Sequence, residues 1–129
     1  LVPYSPLARG LFQNINHADE LTNDDFRSTL PRYQKEYREN NQNLAKALNE
    51  MAAEKNITGS QLALAWVLAQ GEDIIPIPGT KRIKYLEQNV AATEVELTEA
   101  ELKQIDEILN RYPNVGPRYS EGAMKLVNN

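Results

Sequence analysis

Apolar positions along the chain change their spacing several times, and each change marks an element. Leu1-Val2-Pro3-Tyr4-Ser5-Pro6 opens apolar and reads as a strand running into a loop, since Pro3 and Pro6 limit regular pairing. Residues 8 to 35 are polar, hold Gly10, Asn23-Asp24 and Pro31, and show no sustained period, which predicts a long loop with one short helix. Loops of that length in compact domains are usually functional or mobile, so this one is a candidate substrate-side lid. From Gln34 to Lys55, Tyr37, Leu44, Leu48 and Met51 recur at helical spacing behind a polar first half at Asn40 to Asn43, as in an amphipathic surface helix.

Thr58-Gly59-Ser60-Gln61 has the form of a capping box, with Thr58 as N-cap and Gln61 reaching back. The apolar run Leu62 to Ala69 follows, and a helix apolar all round must be packed on several sides. Trp66 within it is expected in the core rather than under a cofactor. Ile74-Ile75-Pro76-Ile77-Pro78 reads as a buried strand ending in a tight turn at Gly79, and Lys81 to Val90 as a helix. A second capping box, Thr98-Glu99-Ala100-Glu101, starts a helix through Leu102, Ile105 and Leu109 that Pro113 ends. The tail from Tyr112 to Asn129, with Gly116, Pro117 and Gly122, reads as an irregular arm.

Strands separated by helices argue for parallel βαβ architecture with both sheet faces covered. Two short strands cannot make such a sheet, and they offer the helix at 62–69 too little to pack on. The expectation is therefore the C-terminal portion of a larger α/β fold whose start lies upstream, an inference that the apolar opening without an initiator methionine supports.

Composition adds mostly exclusions. At 41% hydrophobic and 25% charged the 129 residues are ordinary for one globular domain. A net charge of −4 provides no general basic field for nucleic acid or an anionic membrane. With no cysteine there is no disulfide framework, zinc-thiolate site or cysteine nucleophile, which suits a reducing cytoplasmic setting. The run Leu62 to Ala69 is far below the roughly 20 residues that cross a bilayer, and no signal peptide is recognised. The glycosylation pattern Asn56-Ile57-Thr58 is read as chance.

Against that acidic background one basic cluster stands out. Lys81, Arg82 and Lys84 open the helix predicted at 81–90, where partial positive charge from unpaired amides should make each cation cost a few tenths of a kcal/mol. An anion removes the conflict. A phosphate there would meet free N–H groups, the favourable end of the dipole and two or three cations at once; the alternative is a solvated basic turn on the surface.

Four motifs in order then carry a resemblance: Tyr4-Ser5-Pro6-Leu7-Ala8-Arg9-Gly10, Gln61 to Leu68, Ile77-Pro78-Gly79-Thr80 with Asn89 beyond it, and Val115-Gly116-Pro117-Arg118-Tyr119. Together they resemble the C-terminal part of the aldo-keto reductases, over nearly the whole chain. The resemblance implies the last two βα units of an eight-stranded (β/α) barrel, with residues 1–4 as the seventh strand and 74–78 as the eighth. It also implies NADP(H) as cofactor, a carbonyl substrate and no metal.

By the same resemblance Tyr4 stacks on the nicotinamide, and Ser5, Pro6, Leu7 and Arg9 line the pyrophosphate. Gly79 and Thr80 meet the adenosine 2′-phosphate, Lys81 and Arg82 pair with its charge, Gln88 and Asn89 face the adenine, and Ile77 is counted with this cofactor set. Two positions depart from the family pattern: many members carry arginine where Tyr85 stands and lysine where Gly79 stands. Lys81 and Arg82 must then supply the phosphate charge, and preference for NADP(H) rests on them.

The catalytic Asp, Tyr, Lys and His of the family would lie in the barrel's first half, so no residue of the chain is given a catalytic role and the missing N-terminal half is an expected partner. The single histidine, His17, matches none of these positions. A hydrolase triad of Ser5, His17 and Asp19 lacks a nucleophile elbow. The alternative in another class is a non-catalytic half-barrel that binds nucleotide or a partner chain, marked by a large exposed apolar surface.

Overall fold

The computed structural model describes residues 1–12, 21–22 and 24–125. His17 and Asp19, like Asn23, lie outside the described residues. Five α-helices are present among the described residues: α1 (Lys35–Glu54), α2 (Gly59–Leu68), α3 (Ile83–Ala91), α4 (Glu99–Arg111) and a single turn α5 (Glu121–Met124).

Both capping boxes form. Thr58 Oγ1 accepts the Gln61 N–H at 3.2 Å while the Thr58 N–H donates to Gln61 Oε1 at 2.9 Å, fixing the start of α2. The Thr98–Glu101 pair repeats this at α4, with 3.2 and 2.8 Å. Glu101 also takes an ion pair from Lys55 just past α1, which together with the cap holds its carboxyl below the ordinary value.

Helix α1 buries Asn41, Leu44, Ala45, Leu48, Met51 and Ala52, one stripe at helical spacing. Helix α2 is the centre of the packing. Leu62 joins Leu44, Leu48, Met51, Ala52, Ile105 and Ile108 between α1 and α4, while Leu64 turns the other way onto Leu7 and Ala92. Apolar surface on both sides is what an apolar helix predicts. Trp66 packs against the first cluster only half-buried, and in α4 the buried pair is Ile105 and Ile108, with Leu102 and Leu109 partly covered. At Gly59 an added Cβ would lie 2.2 Å from Asn49 Oδ1, so α1 and α2 approach closely there.

The two predicted strands are extended segments side by side and parallel. The Ile75 N–H donates to Leu1 O at 2.9 Å, the Ile77 N–H to Pro3 O at 3.4 Å, and Tyr4 and Ile77 form a parallel bridge. The pairing stops there because Pro3, Pro6, Pro76 and Pro78 have no N–H to give. The expectation that 74–78 is buried is corrected: Ile75 and Ile77 are 66% and 54% exposed, as are Leu1 and Val2 at 80% and 58%. Alternation puts Ile74, Pro76 and Pro78 inward and the other two isoleucines out.

Three further expectations change. Among the described residues, the long loop has the short 3-10 turns Ala8–Gly10, Phe26–Thr29 and Pro31–Tyr33 where one short helix was expected. Helix α3 starts at Ile83, with Arg82 as an extended N-cap, so Lys81 and Arg82 precede it and only Lys84 enters its first turn. Thr80 Oγ1 donates to Arg82 O at 3.2 Å in this lead-in. The tail is irregular but fastened. Asn41, 2% exposed, donates to Arg32 O at 2.8 Å and Val115 O at 3.0 Å, and Asn40 reaches Tyr112 O at 3.2 Å. Gly116, at φ 78°, sits where a Cβ would be 2.7 Å from the Tyr37 ring, so the tail presses on α1 through a position that favours glycine on both counts.

Candidate functional site

Parallel pairing of 1–4 with 74–78 sends both chain ends the same way, so the loop after Tyr4 and the turn after Ile77 emerge on one side. The first of these loops is strained. Ser5, Ala8 and Arg9 hold φ of 50°, 47° and 57°, left-handed values that side chains disfavour by roughly 1–2 kcal/mol each. Three such residues within five persist only where the surroundings fix them. Leu7, buried against Leu64 and Ala92, is one anchor; the Tyr33 hydroxyl, donating to Ala8 O at 3.0 Å and Arg9 O at 3.3 Å, is another. With its side chain in the core, Leu7 has only main chain to offer a ligand.

Tyr4 is half-exposed beside this loop. Its hydroxyl is hydrogen-bonded to that of Tyr119, and the Arg118 guanidinium lies 4.0 Å from its ring centroid and donates to Tyr4 O at 2.9 Å. The hydroxyl pair lowers the Tyr119 phenol from its ordinary value and raises that of Tyr4, as expected when one proton is shared between two oxygens. Arg118 and Arg9 reinforce the fall at Tyr119.

A cleft of about 250 Å³ is lined by Tyr4, Ser5, Pro6, Arg9, Arg32 and Arg118, among others. A second, apolar cleft beside Phe12, Leu48 and Trp66 offers almost no polar atoms and is a gap in helix packing rather than a site for chemistry. The structure thus gathers Tyr4, Ser5, Pro6 and Arg9 in one place. Gly79, Thr80, Lys81 and Arg82 follow from Ile77 as an exposed turn, and a Cβ at Gly79 would meet nothing within 4 Å, leaving open space. Gln88 and Asn89 lie on α3, both partly buried.

Arg32, Tyr33 and Arg118 line this cleft and Tyr119 bonds Tyr4, though the sequence alone gives these four no role. Arg118 and Tyr119 stood in a quoted motif, which was their only signal; Arg32 and Tyr33 had none.

A sequence model of the Aldo/keto reductase family matches residues 1–110. Among curated proteins, the chain is 46% identical over 95% of its length to "Aldo-keto reductase yakc [NADP(+)]" of Schizosaccharomyces pombe. It is 41% identical, again over 95%, to "Probable aldo-keto reductase 1" of Glycine max. The chain spans only 36% and 35% of those relatives' lengths. Among solved structures, a glycerol dehydrogenase from Gluconobacter oxydans matches with a TM-score of 0.76 and 27% identity, over 91% of this chain and 36% of that one. A thermostable aldo-keto reductase crystallised with the inhibitor epalrestat matches with a TM-score of 0.54 and 29% identity, over 84% and 29%. These likenesses agree with part of a (β/α) barrel, and the match over 1–110, independent of any single relative, means that the chain belongs to the aldo/keto reductase family.

Proposed function

We propose that the intact protein is a cytoplasmic NADPH-dependent reductase of aldehydes or ketones, and that residues 1–129 are the last two βα units of its single barrel domain plus the tail, supplying the cofactor clamp. The observation that carries this is the parallel bridge between Tyr4 and Ile77, which brings the strained loop 5–9 and the cationic turn 79–82 to the same end of neighbouring segments. In barrels of this kind that end builds the active site. The exposed Leu1, Val2, Ile75 and Ile77 support the presence of further barrel elements against them.

The donor set fits a phosphorylated dinucleotide. Lys81, Arg82 and Lys84 are exposed, and among the described residues none pairs with a carboxylate. Gly79 leaves room for a group to approach the main chain. Lys81 and Arg82, with Thr80, would hold the 2′-phosphate, Gln88 and Asn89 the adenine, Ser5, Pro6 and Arg9 the diphosphate, and Tyr4 the nicotinamide face. When bound, the cofactor supplies hydride for a carbonyl carbon. Tyr4 would orient the ring, and the proton for the carbonyl oxygen would come from residues outside this chain. The name of the Schizosaccharomyces pombe relative, which carries NADP(+), supports the cofactor.

The test is NADPH oxidation by the intact protein with an aromatic aldehyde, wild type against Tyr4→Ala. Stacking is worth about 0.5–1.5 kcal/mol, so kcat/KM should fall up to about tenfold. Absence of aldehyde-dependent NADPH oxidation in the wild type would defeat the proposal.

A further inference from the structure

Residues 115–119 of the tail are tied down at one end and grip Tyr4 at the other. At the tied end the buried amide of Asn41 donates to Val115 O at 3.0 Å, Arg32 Nε donates to Gly116 O at 3.2 Å, and Gly116 packs on the Tyr37 ring. Beyond Pro117 two successive side chains converge on one ring. The Arg118 guanidinium lies 4.0 Å from the Tyr4 centroid and donates to Tyr4 O at 2.9 Å, and the Tyr119 hydroxyl is bonded to that of Tyr4. Tyr119 is itself steadied by Arg9, whose guanidinium lies 5.4 Å from its ring centroid. A half-exposed tyrosine at the end of a short pairing would ordinarily sample several rotamers. Here its face, its main chain and its hydroxyl are all held from the tail. The phenols register the grip: the hydroxyl bond is the first cause of the rise at Tyr4 and of the fall at Tyr119.

We infer that Arg118 and Tyr119 are positioning residues for Tyr4, and that the tail, fastened to α1, sets the plane of the ring against which the nicotinamide lies. The inference rests on the proposed function and deepens it, since it gives residues 115–119 a part in the reaction without contact with the reactants. A ring plane fixed by supporting contacts fixes the approach of the reacting atoms, and small errors of approach cost rate more than binding. The account therefore separates hydride transfer from cofactor affinity.

The test uses the intact protein and its Tyr119→Phe, Tyr4→Phe, combined Tyr4→Phe/Tyr119→Phe and Arg118→Met variants, with NADPH and benzaldehyde. Loss of the hydroxyl bond should slow single-turnover hydride transfer about three- to tenfold, equally in Tyr119→Phe, Tyr4→Phe and the combined variant, because each removes the same contact. Arg118→Met, which loses the ring-face and carbonyl contacts together, should slow it about tenfold or more. NADPH dissociation constants should stay within about twofold of wild type. In the cofactor-free protein, NMR of isotope-labelled tyrosine should show Tyr4 titrating above its ordinary value, and moving back toward it in Tyr119→Phe. Wild-type hydride transfer in Tyr119→Phe and Arg118→Met, losses that multiply in the combined variant, or a Tyr4 titration unmoved by Tyr119→Phe each overturns the inference and leaves the reductase function standing. A wild type that oxidises no NADPH defeats the proposed function first and the inference with it.

Discussion

Between α2 and α4 each local preference is met: both helices start on complete capping boxes, Leu62 and Ile105 are buried together, and Glu101 serves cap and ion pair at once. Around Tyr4 the preferences are broken. Three non-glycine residues take left-handed backbone, three arginines share a cleft without a carboxylate among the described residues, and the paired segments turn isoleucines outward. The first region is consistent with itself, and needs nothing beyond the chain. On the proposed function, the second is completed by an anion at the cations and by further barrel elements against the isoleucines. Conflict between local preference and observed conformation is therefore the best guide to where this chain functions.

The largest effect should come from the self-consistent region. Leu62→Ala removes the side chain shared by α1, α2 and α4 and should lower the unfolding free energy of the intact protein by about 2–5 kcal/mol in a urea titration. A loss below about 1 kcal/mol would mean the helical core is not what holds the chain, and the contrast would fail.

Asn41→Ala tests the seam between the two regions. It leaves Arg32 O and Val115 O without their donor and should cost about 1–3 kcal/mol. It should also free the tail, so that trypsin cleaves after Arg118 faster than in the wild type; unchanged cleavage would show that Asn41 does not hold the tail. Thr98→Ala should cost about 1 kcal/mol through the cap of α4 in a urea titration, with no change in NADPH affinity.

The smallest effect is at Asp25. The Arg27 guanidinium, and then its N–H, hold the Asp25 carboxyl at about 2 against an ordinary 3.8. A depressed value means stability that is present above 3.8 and lost as pH falls toward 2. Asp25→Asn should flatten the stability profile in that window, with a small loss relative to wild type that is fully present near neutrality and vanishes as pH falls toward 2, as read by thermal unfolding across pH.

Much of the self-consistent region was legible in sequence, because capping boxes and helical periodicity are local signals. The two boxes, the α1 stripe and the two-sided packing of α2 follow from residues a few positions apart. Adjacency of Tyr4 and Ile77 was legible only through parallel topology and the family motifs. The start of α3 at Ile83 is not legible because no side-chain cap marks it: Arg82 is an extended N-cap without a capping hydrogen bond. Exposure of Ile75 and Ile77 could not be read, since an apolar run does not say whether its neighbours are on the same chain. The docked tail and the arginine cluster depend on Asn41 meeting Val115 and on Arg9, Arg32 and Arg118 converging, contacts that no local pattern encodes.

The central claim is that the turn after Ile77 binds the phosphate distinguishing NADPH from NADH. Dissociation constants of both cofactors for the intact protein, followed by Trp66 fluorescence in wild type and Arg82→Gln, test it most directly. The account predicts tighter NADPH than NADH binding in the wild type, and a loss of about tenfold or more for NADPH alone in the variant. Equal affinity for the two cofactors, or an Arg82→Gln variant that binds NADPH as the wild type does, would contradict it.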